Sequence, residues 1–236
     1  LGGQVLEGGS IGQIAQGTAA LIVAGGTFGA MLLSFPGSEI RRAFASIPLI
    51  YREFREDPVP IIDEIIKVAT IARKEGVLAL ESQKSKLKDP LLKRGIQFVV
   101  DGFEPSTVRE ILESEIDRGR DEDEAAARVF EAAGGYAPTV GILGAVLGLI
   151  HVMSMLNDPS KIGEGIAVAF VATVYGVALA NLLLLPWGSK LKRRAALRAE
   201  SRELVMQGVL GIQEGLNPQF LREKLEVFVE ESRRRK

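Results

Sequence analysis

Two apolar stretches joined by a short polar break, Ala137 to Leu156 and Ile166 to Gly188, constrain this chain more than any other feature. Each holds about 20 residues, enough for a helix rising about 1.5 Å per residue to cross a hydrocarbon core of about 30 Å. Between Glu131 and Asp158, and again between Glu164 and Lys190, there is no Asp, Glu, Lys or Arg. A water-soluble core helix shows a charged face every turn or two. The pair therefore reads as a transmembrane hairpin rather than as buried soluble helices.

Small residues recur through both halves: Gly141, Gly144, Ala145 and Gly148, then Ala167, Ala169, Ala172, Gly176, Ala178 and Ala180. Lipid offers little hydrophobic force between helices, so close backbone approach across small residues holds them together. These helices therefore expect helical neighbours. Thr139, Ser154, Thr173, Tyr175 and Asn181 are polar groups at or near membrane depth, and each needs a carbonyl, a partner helix or water. For Thr173 the plain alternative to a functional role is a hydroxyl bonded back to its own helix.

Averages conceal this segregation. The 236 residues are 47% hydrophobic, with a net charge of −1, so no basic excess points to nucleic acid. Cys is absent and the single His151 lies inside an apolar run, which removes thiolate and His-cluster metal sites, disulfides and Cys nucleophiles. The GGTFGA run at Gly25 follows no strand and is no dinucleotide fingerprint; P-loop, HExxH and GxSxG patterns are missing. The chain reads as a non-enzyme without cofactor or metal.

Taken in order, residues 1–10 read as a Gly-rich loop. The chain opens on Leu1 without a signal-peptide pattern, so its N-terminus is expected to be incomplete. Residues 11–36 form a third uncharged block of spanning length, ended by Pro36 and Gly37. Residues 37–133 turn to amphipathic helices, with a stripe of Ile61, Ile62, Ile65, Ile66, Ala69 and Ala72 that Gly76 interrupts. The pattern from Val77 to Pro90 continues as helix, and on a continuous helix Arg73 and Glu81 lie about 80° apart. Thr107 with Glu110 fits a capping box. Gly134 and Gly135 mark re-entry to the membrane, residues 134–189 form the hairpin, and residues 190–236 form two helices, the second opened by Asn217 as cap and Pro218 at its first position. Arg41, Arg42, Lys190, Lys192, Arg193 and Arg194 follow membrane blocks, whereas the Asn157–Gly165 turn offers only Lys161. Both large hydrophilic parts are thus expected in the cytoplasm.

The segments GGTFGAMLLSFP (Gly25–Pro36), IARKEGVLALE (Ile71–Glu81) and GGYAPTVGILGAVLGLIHVM (Gly134–Met153), followed by ATVYG and LLLLPWG, resemble the MotA/TolQ/ExbB proton-channel family through essentially the whole chain. The first two are specific to its flagellar motor stator branch. The resemblance implies an all-α, multi-pass protein of the bacterial inner membrane, with four transmembrane helices of which three are present. Leu1-Gly2-Gly3 resembles the tail of the first, so residues 1–10 would be a periplasmic loop. It further implies a homopentamer around two copies of MotB, whose single transmembrane helix carries the ion-accepting Asp. Pro138 and Pro186 match the prolines at the ends of the channel-lining helices, and Thr173 the hydroxyl facing that carboxylate. Ala145 and Tyr175 complete the implied channel lining, while Arg73 and Glu81 match the charged pair that engages the rotor protein FliG. Ala145, where sodium-driven relatives tend to carry Thr, favours protons, but the GGTFGA block is also found in sodium-type relatives. Torque generation on proton flow is the expected function. The alternatives are a TolQ- or ExbB-like energiser of envelope processes, a sodium-driven stator, and a membrane scaffold without transport.

Overall fold

A computed structural model describes residues 15–52, 57–154 and 159–234, and no strand occurs among them. The expected loop at residues 1–10 and the tip of the expected turn lie outside the described residues. The helices are α1 (Gly17–Ser34), α2 (Gly37–Tyr51), α3 (Val59–Glu75), α4 (Pro90–Val100), α5 (Pro105–Ser154), α6 (Pro159–Ala178), α7 (Leu185–Gln213) and α8 (Pro218–Arg234). The chain divides into two compact units, Leu1–Arg52 with Glu124–Lys192 and Glu53–Asp123 with Arg193–Lys236.

The first unit carries the apolar segments. Three of its helical stretches are long and apolar enough to cross a membrane, within α1, α5 and the run beginning at Gly165. Gly134 and Gly135 do not break α5, which runs on through them and through Pro138. Gly134 serves instead as a contact: a Cβ there would lie 2.6 Å from Leu185 Cδ2. Helix α6 likewise begins at Pro159, inside the expected polar turn, because proline at a first helical position sacrifices only an N–H that has no intrahelical partner. The boundaries expected at 133/134 and 189/190 thus fall inside unbroken helices. Beneath the apolar blocks, α2 packs Ile40, Ala43 and Ile50 against Ala126, Phe130, Ala133 and Leu191. Phe130 meets Trp187 edge-on at 5.5 Å.

The second unit is built like a soluble bundle. Ile62, Ile65, Leu92, Ile96, Leu112, Leu204, Leu210 and Leu221 form its buried core. Helix α3 stops at Gly76, whose φ of 84° favours glycine. Beyond it the chain forms 3-10 turns at Val77–Ser82 and Lys84–Lys86, not the expected continuation of helix. Ala79 N–H reaches Gly76 O at 3.2 Å and Gln83 N–H reaches Leu80 O at 3.0 Å. The tight winding lets Leu80 plunge into the core while Leu78 stays exposed. Pro90 opens α4, and Asp89 Oδ1 accepts from Leu92 N–H at 2.8 Å. At α5 the capping box is not formed: Thr107 lies within the first turn that Pro105 opens. Asn217 does cap α8, its Oδ1 accepting from Gln219 N–H at 2.9 Å.

Candidate functional site

Within the first unit, α5 and α6 approach across glycine and alanine. A Cβ on Gly176 would lie 2.5 Å from Ala137 O, one on Gly141 2.9 Å from Ala172 O, and one on Gly148 3.1 Å from Ala169 N. Rising numbers on α5 meet falling numbers on α6, so the two run antiparallel. The seam is internal to the chain. The small residues of both halves thus pack against each other within one hairpin.

The seam fixes which side chains share a face. A helix turns about 100° per residue, and in an antiparallel pair the residue following a seam position points to the same side on both helices. Pro138 and Ala145 follow Ala137 and Gly144 on α5, and Thr173 follows Ala172 on α6. They lie among exposed Ile142, Leu149, Phe170 and Val177. The residue preceding a seam position points to the other side, which α1 covers: a Cβ on Gly26 would meet Val140 Cγ1 at 2.7 Å. Ser34 and Tyr136 hydroxyls lie 2.9 Å apart on that side.

Tyr175 belongs to this covered side. Its hydroxyl accepts from Gln16 N–H at 3.3 Å, and its ring packs with Ala19, Val23 and Val171. It sits about 200° around α6 from Thr173, so it does not share the face expected for it. Thr173 Oγ1 donates to Ala169 O at 3.4 Å, and Asn181 Nδ2 to Val177 O at 2.9 Å. Thr139 and Ser154 also bond back, to Tyr136 O and His151 O. Each of these polar groups has a backbone partner, as membrane depth demands; Thr173 stands on the open face beside Ala145 and Pro138.

Pro186 is exposed and follows a feature the sequence reading missed, a π-helical turn at Leu179–Leu184. Leu185 N–H bonds Ala180 O, one residue wider than an α-helix. Proline cannot donate, and its ring crowds the carbonyl four residues back; widening the preceding turn relieves both. Proline inside a long helical run is the signal that announces such a distortion.

In the second unit, Arg73 and Glu81 are both exposed, but they are not eight residues apart on one helix. Arg73 lies in the last turn of α3 and Glu81 stands on the 3-10 turn beyond Gly76. Glu81 Oε1 accepts from Lys84 Nζ at 3.1 Å, a partner not singled out in the sequence. Among the described residues no group of His, Asp or Glu side chains is arranged to hold a metal.

This geometry has known counterparts. Residues 83–204 match the model of the MotA/TolQ/ExbB proton channel family. The chain is 37% identical to motility protein A of Bacillus subtilis over 96% of its length and 84% of that protein's. It is 34% identical to the chemotaxis protein PomA of Vibrio alginolyticus, over 96% and 89%. Among solved structures, the flagellar MotAB stator complex from Bacillus subtilis aligns with a TM-score of 0.87 at 35% identity, covering 98% of this chain and 91% of that one. The chain belongs to the MotA/TolQ/ExbB proton channel family, among its flagellar stator subunits.

Proposed function

We propose that the chain forms the ion-channel wall of a stator unit, coupling inward proton flow to torque on the rotor. The observation that carries this is the open face of the hairpin. Pro138, Ala145 and Thr173 stand there among exposed Ile142, Leu149, Phe170 and Val177, and the apolar runs behind it hold no carboxylate. Such a face suits an apolar helix that brings its own acidic group. The solved relative named above is a complex of MotA and MotB, which supports MotB as that partner here, in the expected ratio of five subunits to two. A carboxylate at membrane depth is costly while charged and cheaper once protonated. The membrane potential contributes about 2.3 kcal/mol per charge per 100 mV.

Orientation has support from the fold. Helix α1 runs against α5, its Ile22, Gly26 and Ser34 meeting Gly144, Val140 and Tyr136 in turn, and hence with α6, so Arg41, Arg42, Lys190 and Lys192 follow segments that leave the apolar layer at the same end. That end is cytoplasmic under the positive-inside rule, in the bacterial inner membrane. Arg73 and Glu81, exposed on the second unit, are the groups for the rotor protein FliG. No cofactor is required.

Torque measured over a sodium series at fixed pH tests the ion: a constant torque is expected, and dependence on sodium would overturn the proton reading. Thr173→Ala and Pro138→Leu are expected to abolish torque with the complex still assembled. Undiminished proton flux through either variant, with MotB present, would remove these residues from the channel.

A further inference from the structure

Glu81 already has a counter-ion. Lys84 Nζ stands 3.1 Å from its Oε1, with Lys84 25% and Glu81 56% exposed at the side chain. The lysine is itself tethered: its Nζ also donates to Gln97 Oε1 on α4, and Gln97 Nε2 donates to Asp101 Oδ1 at 2.6 Å. The backbone beneath is fixed by fully buried Leu80 and by i to i+3 bonds such as Lys86 N–H to Gln83 O at 2.9 Å. Arg73 differs, making no ion pair among the described residues.

From this asymmetry we infer that Lys84 is the resident counter-ion of Glu81, and that rotor engagement at this residue is an exchange of one cation for another. A basic side chain on the rotor surface displaces Lys84 on arrival, and Lys84 returns as the rotor moves on. A free carboxylate would gain its whole interaction on binding and lose it all on release. With Lys84 beside it the bound and released states stay nearly balanced, and Gln97 keeps the lysine close enough to return. Lys84 is therefore a positioning residue that sets dwell time, while Arg73 is the end that recruits. This inference rests on the proposal that Arg73 and Glu81 grip the rotor.

The test measures the dwell time of fluorescently labelled stators at rotors in living cells. Lys84→Gln keeps the hydrogen-bonding shape and removes the charge. Dwell is expected to lengthen by about 1.4- to five-fold, the range spanned by exposed ion pairs. Lys84→Arg is expected to restore the original dwell, and Gln97→Met, which leaves both charges, to give a smaller lengthening. In a Glu81→Gln background the effect of Lys84→Gln should vanish. An unchanged or shortened dwell in Lys84→Gln, or a lengthening that persists with Glu81→Gln, would overturn the exchange. Failure of the underlying reading looks different: normal rotation after simultaneous charge reversal of Arg73 and Glu81 would remove the rotor contact itself.

Discussion

The two units solve opposite problems with one kind of element. In the second, large aliphatic side chains point inward, with Ile62, Ile65, Leu92 and Leu112 fully or almost fully buried, while charges face out. In the first, α5 buries Gly141, Gly144 and Gly148 and exposes Ile142, Leu143, Leu147 and Ile150. Water rewards hiding the large residues. Lipid is indifferent to them, so contact goes to whichever residues let backbones approach most closely. Helix α5 thus reads inside-out between its Leu112 and Gly141 ends, with no change of secondary structure to mark the switch.

The sharpest way to break this contrast is to enlarge the seam. Gly176→Leu is expected to abolish both stator assembly and motility, because its side chain would meet the Ala137 carbonyl and the backbone of Gly141. Gly25→Leu, on the same apolar layer but with nothing within 4 Å of its Cβ, is expected to assemble. Size-exclusion profiles of the two purified variants check this; comparable assembly would end the seam argument. In the second unit the rule reverses, and removal does the damage. Leu112→Ala and Leu80→Ala are each expected to cost about 2–5 kcal/mol, read from chemical unfolding of the purified complex. Leu78→Ala, 74% exposed on the same 3-10 turn as Leu80, should cost almost nothing.

What the sequence made legible follows the same division. Composition and period exposed the three apolar blocks, the stripe from Ile61 to Ala72 with its interruption at Gly76, and the cap at Asn217, because each depends on residues adjacent in the chain. The seam escaped, since Gly141 and Gly176 look identical whether each faces the other helix of the hairpin or another subunit. Tyr175, given by the resemblance as lining with Thr173, sits two residues along the helix and so on an almost opposite face, and the Gln16 N–H that meets it lies 159 positions away. Continuing α3 through Val77–Lys86 failed for a related reason. The 3-10 winding is set by Leu80 seeking the core and by Lys84 seeking Gln97, both long-range demands.

Smaller effects probe the polar contacts. The Ser34–Tyr136 pair joins α1 to α5 at 2.9 Å, and hydrogen bonds between membrane helices average about 0.6 kcal/mol. Ser34→Ala is expected to lower stability in detergent by about that much, independently of salt, since neither group carries a charge. A loss above about 2 kcal/mol would mean the contact is more deeply desolvated than its partial exposure implies.

An effect as small, and the smallest at high salt, belongs to the ion pair that ties α8 to α3. Arg222 Nη2 stands 2.7 Å from Asp63 Oδ1, with side chains 38% and 46% exposed. Arg222 also lies 3.9 Å from Glu226 one turn on, so Asp63→Asn leaves the guanidinium a partner. Water screens charges at this exposure, and the expected loss is about 0.2–1 kcal/mol at low salt. It should shrink further as ionic strength rises, because the screening length falls to about 3 Å at 1 M. Leu221 and Leu225, fully buried beside it, carry the docking of α8, and their replacement by Ala should cost several times more and resist salt. Unfolding curves of Asp63→Asn and Leu221→Ala at two salt concentrations separate the contributions. A salt-insensitive loss at Asp63 equal to that at Leu221 would show that the second unit relies on specific polar contacts more than on its aliphatic core.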